Sequence, residues 1–223
     1  MHKNFWNHIG ENSPYRSILC ASGDLPDKSF FENMIAKKLP VIAIDGAINY
    51  LLPNKIIPNL VIGDLDSAKP ELLEGIDSLY VLDQNKSDLQ KSLSYLETNN
   101  LLPSIIVGFS GGYIDHIINN INIFLNSSCI FYAPPIIGYN IQAGATKEFD
   151  LPYNTKISIL GIPAASVSTA GLKWDLNNNR LSFPGNNSCF NRSANNVISI
   201  EVHQGNVLVL VYLVQINDAG SDA

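Results

Sequence analysis

The chain is poor in everything that a disulfide scaffold, a zinc centre or a nucleic-acid surface would require. Only 3 of its 223 residues are cysteine. Cys20, Cys129 and Cys189 are scattered, odd in number and without the paired spacing of a metal-binding knuckle. They read as reduced thiols in a cytoplasmic protein. With 4 histidines and no Cys pair, a zinc site is not expected, and any metal is expected to be a hard, oxygen-liking cation. Charged residues make up 15% and the formal charge is −6, with no cluster of Lys and Arg. Nucleic acid is therefore not an expected partner, because phosphate backbones are gripped by basic patches. No apolar run reaches the roughly 18 residues of a membrane span, and the opening stretch "MHKNFWNHIGENSPYR" lacks the apolar core of a secretion signal. What is present is 46% hydrophobic, a globular composition long enough for one large domain or two small ones.

The first part alternates strand and helix patterns. "RSILCAS", "PVIAID", "PNLVIGDLDS", "DSLYVLD" and "PSIIVGF" read as successive strands. Between them, helices are predicted from about Lys28 to Lys38, from Gly46 to Leu52, over "SDLQKSLSYLETNN" and over "YIDHIINNINIFLN". "KPELLEG" reads as a helical turn that Ser67 caps ahead of Pro70. Such alternation predicts a doubly wound, largely parallel α/β domain, placed at residues 1–135. Beyond that point the helical period disappears. "TKISILGI", "ASVSTAGLKWDL", "RLSFPG", "NVISIEVH" and "NVLVLVYLV" are short strand candidates between Asn- and Gly-rich turns. They predict a smaller all-β sandwich or roll at 136–223, with "APPIIGY" (133–139) as the crossover.

In a doubly wound sheet, ligands lie outside the carboxyl ends of the strands. The unusual residues of this chain fall there. Asp45-Gly46 follows "VIAI", and Gly63-Asp64-Leu65-Asp66-Ser67 follows "LVI". Asp83-Gln84-Asn85 follows "YVL" with Asp88 beyond, and Gly108, Gly111-Gly112 and Asp115-His116 follow "IIV". If extended, Asp64 and Asp66 point the same way, roughly 6–7 Å apart. Like charges so placed repel unless a cation joins them. Mg²⁺ suits the position, since it takes a few carboxylates, keeps waters and completes its shell with phosphate oxygens. The alternative is a loop acid beside a helix cap; acids converging from neighbouring strands favour the cation.

Other motifs leave two readings open. Asp88 and Lys91, at i and i+3, form either a solvent-exposed ion pair or a set in which Asp88 faces a metal and Lys91 a phosphate. "GFSGGYIDH" is a glycine-rich turn opening a helix, able to present N–H groups to an anion, but it is neither a Walker loop nor a dinucleotide fingerprint. Asp115 and Asn119 share a helix face, and His116 fits an ordinary helix-face residue as well as a ligand contact. Trp174 alternates with Leu172 and Leu176, the pattern of a core residue, and "NNSCFNR" (186–192) is a polar loop that either binds or merely turns.

Together, "IDGA" (44–47), "GDLDS" (63–67), "DQNKSDLQK" (83–91), "GGYIDH" (111–116), "TAGLKWDL" (169–176) and "SCFN" (188–191) resemble the thiamin pyrophosphokinase family in order and approximate spacing, over about residues 18–212. The resemblance implies an N-terminal α/β domain, a C-terminal β domain, and a homodimer with active sites at the subunit interface. It implies Mg²⁺-dependent transfer of the terminal pyrophosphate of ATP to the hydroxyethyl oxygen of thiamin, releasing AMP. By the same resemblance Asp64, Asp66 and Asp88 are metal ligands and, with Lys91 and Asp115, the catalytic set. Asp45, Gly46, Gln84, Asn85, Lys91, Gly111, Gly112, Asp115 and His116 match motifs around ATP. Trp174, Ser188 and Asn191 match motifs for thiamin, where an aromatic face suits a planar cation. Asp88 is the expected acceptor of the hydroxyl proton. One departure stands out: family members commonly carry Arg where this chain has Tyr113, and Tyr cannot reproduce a guanidinium fork on phosphate. Lys86, Lys91, Lys147 and Arg192 are candidates for the missing charge. Two competing expectations remain, a Mg²⁺-dependent nucleotide pyrophosphohydrolase and a catalytically weakened relative that only binds thiamin or nucleotide.

Overall fold

A computed structural model describes residues 13–213. Most of the N-terminal stretch read for a secretion signal lies outside the described residues. No helix among the described residues is long and apolar enough to cross a membrane. The described residues fall into two compact units, 13–134 and 135–213.

The first unit is a six-stranded parallel sheet. β1 (Ser17–Cys20), β2 (Val41–Ile44), β3 (Leu60–Gly63), β4 (Ser78–Tyr80), β5 (Ser104–Val107) and β6 (Ile130–Ala133) lie in the order β6-β5-β1-β2-β3-β4. Every pairing is parallel. β1, β2, β5 and β6 are buried along their whole length, as expected of strands covered on both faces. The chain adds strands outward from β1 to β4, then returns to the other flank of β1 to lay down β5 and β6. The winding therefore reverses between β1 and β5, which opens a crevice at their carboxyl ends.

Helices connect these strands. Asp27 caps α1 (Lys28–Ala36) by accepting from the N–H groups of Ser29 and Phe30, and α1 buries Phe30, Phe31 and Met34. A 3-10 turn (Asp45–Ala47) runs into the short α2 (Ile48–Leu51). α3 (Asp88–Thr98) opens with a reciprocal capping box between Ser87 and Gln90. α4 spans Ile114–Phe124. Ser67 does not cap the turn at Pro70–Leu72, which has no side-chain cap; its hydroxyl instead donates to Asp66 Oδ1 at 3.0 Å.

The second unit is entirely β: β7 (Ile136–Gln142), β8 (Thr146–Asp150), β9 (Lys156–Ala170), β10 (Asn179–Ser182), β11 (Ser188–Arg192) and β12 (Val197–Tyr212). β9 and β12 are long strands that pair with each other. Around one half of this pair lie β11 and β7, and around the other half β10 and β8. Several expectations need correction here. "TKISILGI" and the start of "ASVSTAGLKWDL" are one strand, β9, which runs through Pro163. "NVISIEVH" and "NVLVLVYLV" are likewise one strand. Gln204-Gly205-Asn206, read as a turn, lies among the register shifts of β12 on β9; an inserted residue bends a strand without ending it. The boundary between the two units falls within "APPIIGY", where β6 runs to Ala133, Pro134-Pro135 turn, and β7 starts at Ile136.

Burial separates the cysteines. Cys20 and Cys129 are buried and Cys189 is exposed, and desolvation raises the thiol pKa of both buried residues. A thiolate is the reactive form, so the native protein should titrate one fast thiol with a disulfide reagent and three in urea. A second fast thiol in the native state would contradict this packing.

Candidate active site

The carboxylates are gathered by backbone bends at two adjacent strand ends. β2 ends at Ile44, and Asp45 follows with φ +41°, a left-handed conformation that few non-glycine residues adopt. Beside it β3 ends at Gly63, with Ile44 and Ile62 in register. A Cβ on Gly63 would stand 2.9 Å from the Cβ of Asp45, so glycine is required for Asp45 to come this close. Leu65, between the two loop acids, is also left-handed at φ +60°. The Asp64–Asp66 segment is therefore a bend past the end of β3, not the extended stretch expected from sequence. The bend brings one oxygen from each of Asp45, Asp64 and Asp66 within 4.8 Å of one another.

The partners of these acids are specific. Asp45 is 5% exposed, and burial raises its pKa, with the neighbouring Asp88 and Asp66 carboxylates adding to the rise. Asp64 is held below the usual carboxylate range, first by Gln84, whose Nε2 donates to Oδ2 at 3.2 Å, and also by the Asp66 backbone and Lys91. Lys91 is 6% exposed. Its Nζ lies 2.8 Å from Asp88 Oδ1 and 3.9 Å from Asp64 Oδ2, and the bond to Asp88 raises its pKa. The solvent-exposed ion pair is thus excluded; Lys91 is a buried cation between two of the acids. Asp45 Oδ1 and Asp64 Oδ1 are buried without a hydrogen-bond partner. Two carboxylates that each carry an orphaned buried oxygen, grouped with a third carboxylate, form a donor set that fits a hard divalent cation. The acid that joins Asp64 and Asp66 in the close group is Asp45, while Asp88 sits one step away on Lys91.

A cavity of about 590 Å³ opens at the reversal point of the sheet. Its wall comes from the ends of β1 (Ala21 to Gly23) and β5 (Gly108, Phe109), the start of α3 (Ser87, Asp88) and the turn and first half of α4. Gly111, Gly112, Asp115, His116 and Asn119 all line it. Gly111 has φ +91°, and a Cβ there would lie 2.7 Å from the Asp24 carboxyl carbon. Asp115 Oδ1 accepts from the His116 N–H at 2.9 Å and is not among the three clustered acids. Gly46 packs against Ser67 and Ser22. Asn85 is exposed, and its N–H donates to Asp83. Ser22 ends the first strand as read from sequence and Gly23 follows it, and the strand-end rule applied to the other strands points to them equally.

In the second unit the three predicted residues form one hydrogen-bonded cluster. Asn191 Nδ2 donates to the Trp174 carbonyl at 2.7 Å and to Ser188 Oγ at 3.1 Å. Its Oδ1 accepts from the N–H groups of Trp174 and Arg192. Asn191 is 2% exposed, so its amide is spent on holding Trp174. Trp174 itself is 56% exposed, which overturns the core reading. β9 stops at Ala170, and the Asp175 carboxylate gathers the N–H groups of Gly171 and Leu172 into a turn. Lys173 Nζ lies 4.6 Å from the centre of the Trp174 ring, a cation already on that face.

Two family models match in tandem: the catalytic domain of thiamin pyrophosphokinase over residues 31–131, and its vitamin B1 binding domain over residues 145–207. Thiamine pyrophosphokinase 3 of Oryza sativa subsp. japonica is 31% identical over 151 residues, covering 57% of this chain and 55% of the rice protein. Thiamine pyrophosphokinase 2 of Arabidopsis thaliana is 27% identical over 207 residues, covering 82% of this chain and 73% of its own length. The alignment thus spans little more than half of the rice relative. Among solved structures, yeast thiamin pyrophosphokinase superposes with a TM-score of 0.75 at 19% identity, covering 95% of this chain and 91% of that one. The Bacillus subtilis enzyme superposes with 0.73 at 18%, covering 88% and 98%. At these identities the structural likeness establishes the fold.

Because Asp45 has a raised pKa, its ionised form opposes folding near neutrality when no cation is bound. Asp45→Asn should therefore raise the urea midpoint of the metal-free protein at pH 7. The gain should shrink on acidification and vanish below the unfolded carboxylate value of about 4, where both states are protonated. Urea titrations in chelator across pH check this; a gain independent of pH would assign it to the backbone.

Proposed function

The chain belongs to the thiamin pyrophosphokinase family, and from that premise we propose that it transfers a pyrophosphoryl group from ATP to the hydroxyethyl oxygen of thiamin. The observation that carries the reading is the group of three carboxylates, with two orphaned oxygens, next to a cavity at the reversal point of a parallel sheet. In this proposal Asp45, Asp64 and Asp66 hold Mg²⁺. Bound there, Mg²⁺ supplies neutralisation of the polyphosphate and its alignment for in-line displacement.

The remaining roles follow from the chain's own groups. The glycine turn at 111–112 and the start of α4 offer backbone N–H groups to phosphate oxygens. Lys91, fixed between Asp88 and Asp64, orients both carboxylates. Asp88 lines the cavity with one oxygen committed to Lys91, leaving the other to take the hydroxyl proton. The thiamin oxygen then bonds to the β-phosphorus as the bond from that phosphorus to the α–β bridging oxygen breaks, and AMP departs with the bridging oxygen. In the second unit Trp174 offers its exposed ring to the cationic vitamin, with Asn191 and Ser188 fixing its turn. Homodimerisation belongs to the same proposal.

AMP release from Mg-ATP, with and without thiamin, tests the reading. The expected result is thiamin-dependent AMP together with thiamin diphosphate. Thiamin-independent AMP would replace it with a pyrophosphohydrolase, and no AMP with a binding protein. Asp64→Asn should lower turnover about a hundredfold or more with the melting temperature little changed; a fully active variant would falsify the ligand role.

A further inference from the structure

Tyr113 precedes the first residue of α4 and, at 79%, is the most exposed of the large hydrophobics among the described residues. Solvent exposure of a tyrosine is unremarkable in itself, but this one lines the 590 Å³ cavity. The phenol offers one hydroxyl and no charge, so it cannot act as a phosphate fork. It does offer a π face. His116 lies three residues along the chain and also lines the cavity. The two ring centroids are 6.2 Å apart with planes tilted by 56°, so the rings do not stack on each other and the Tyr113 face is not covered by His116. Asn119 and Asn120, one turn further along α4, add amides to the same wall. At this end of the cavity the chain presents aromatic faces and amides beside the single carboxylate of Asp115, whose Oδ1 accepts from the His116 N–H, whereas the clustered carboxylates lie at the ends of β2 and β3. A ligand matching that layout has a planar, uncharged ring against Tyr113, a phosphate within reach of the adjoining 111–112 turn, and further phosphates toward the ends of β2 and β3.

We propose that Tyr113 is the base platform of this site, stacking on the purine ring of the nucleoside triphosphate. The proposal rests on the reading of the cavity as a nucleotide site given above, and deepens it. The ring binds by its π face and not by its hydroxyl, so the contribution is made to the base and is independent of the phosphates. Stacking of a base on an aromatic side chain is strong enough for its loss to be read directly as affinity.

Equilibrium binding of Mg-ATP and of Mg-tripolyphosphate to the full-length protein, wild type against Tyr113→Phe and Tyr113→Ala, tests this. Tyr113→Phe should bind Mg-ATP within about twofold of wild type and Tyr113→Ala about tenfold more weakly. Both should bind Mg-tripolyphosphate as wild type does, which also shows that the site remains folded. Equal ATP affinity in wild type and Tyr113→Ala overturns the proposal. So does a loss in Tyr113→Phe as large as in Tyr113→Ala, which would assign the effect to the hydroxyl. A parallel loss of tripolyphosphate binding overturns it too, by assigning the effect to the phosphates. If wild type binds neither probe, the nucleotide reading fails and this proposal with it; if wild type binds both and only the Tyr113→Ala contrast is missing, the nucleotide reading stands alone.

Discussion

Three carboxylates held within 4.8 Å of one another repel, and the first unit can be understood as the apparatus that keeps them there. The repulsion is opposed by neighbouring donors: Ser67 on Asp66, Gln84 on Asp64, and the buried Lys91 between Asp64 and Asp88. It is opposed also by a backbone that cannot relax. Asp45 and Leu65 sit in left-handed conformations, each unfavourable for a residue with a side chain. Such conformations persist only where the surroundings over-determine them. Here the surroundings are the paired ends of β2 and β3, buried on both faces and tied in register.

That dependence explains what was legible in the sequence. Five of the six strands of the parallel sheet are apolar runs punctuated by Gly, Asp and Pro and could be read directly; β6, equally buried, follows the last helix with little punctuation and was not read as a strand. The rule that ligands collect at carboxyl ends then picked out Asp45, Asp64, Asp66 and Asp88 as one rim. Which three of them converge was not legible. It depends on the sign of φ at Asp45 and Leu65 and on the absence of a Cβ at Gly63, and no period in the sequence encodes these. The extended reading of Asp64 and Asp66 would have set them along a strand, with Asp45 left to the nucleotide. The bend makes Asp45 the third member. Lys91 was similarly ambiguous, because i, i+3 spacing is the same on a solvated face and on one turned toward buried acids.

In the β unit, local polar chemistry overrides pattern. Leu172, Trp174 and Leu176 alternate as in a half-buried strand, yet Asp175 satisfies the N–H groups of Gly171 and Leu172 and accepts from Thr169 Oγ1. A side chain that satisfies its neighbours' backbone competes with the ladder, so β9 ends and Trp174 turns outward. Asn191 completes the effect from β11 by bonding both the N–H and the carbonyl of Trp174. The converse occurs in β12, where Gln-Gly-Asn has turn composition but is absorbed as a bulge because β9 pairs on both sides of it.

The same arrangement ties ligand binding to folding. A carboxylate that is 5% exposed, and that carries a buried oxygen without a hydrogen-bond donor, destabilises the native state on its own. The unfolded chain solvates that carboxylate freely and has no reason to hold Asp45, Asp64 and Asp66 together. A cation recognised by all three therefore binds the native state in preference to the unfolded one, and its binding free energy is added to stability by mass action. Replacing Asp45 by a neutral residue would relieve the native state and remove a cation ligand in one step. A fold selected only for stability would not keep a buried aspartate in a left-handed conformation at this position. A hard divalent cation held by the three oxygen donors, as proposed above, would offset the cost of burying it there.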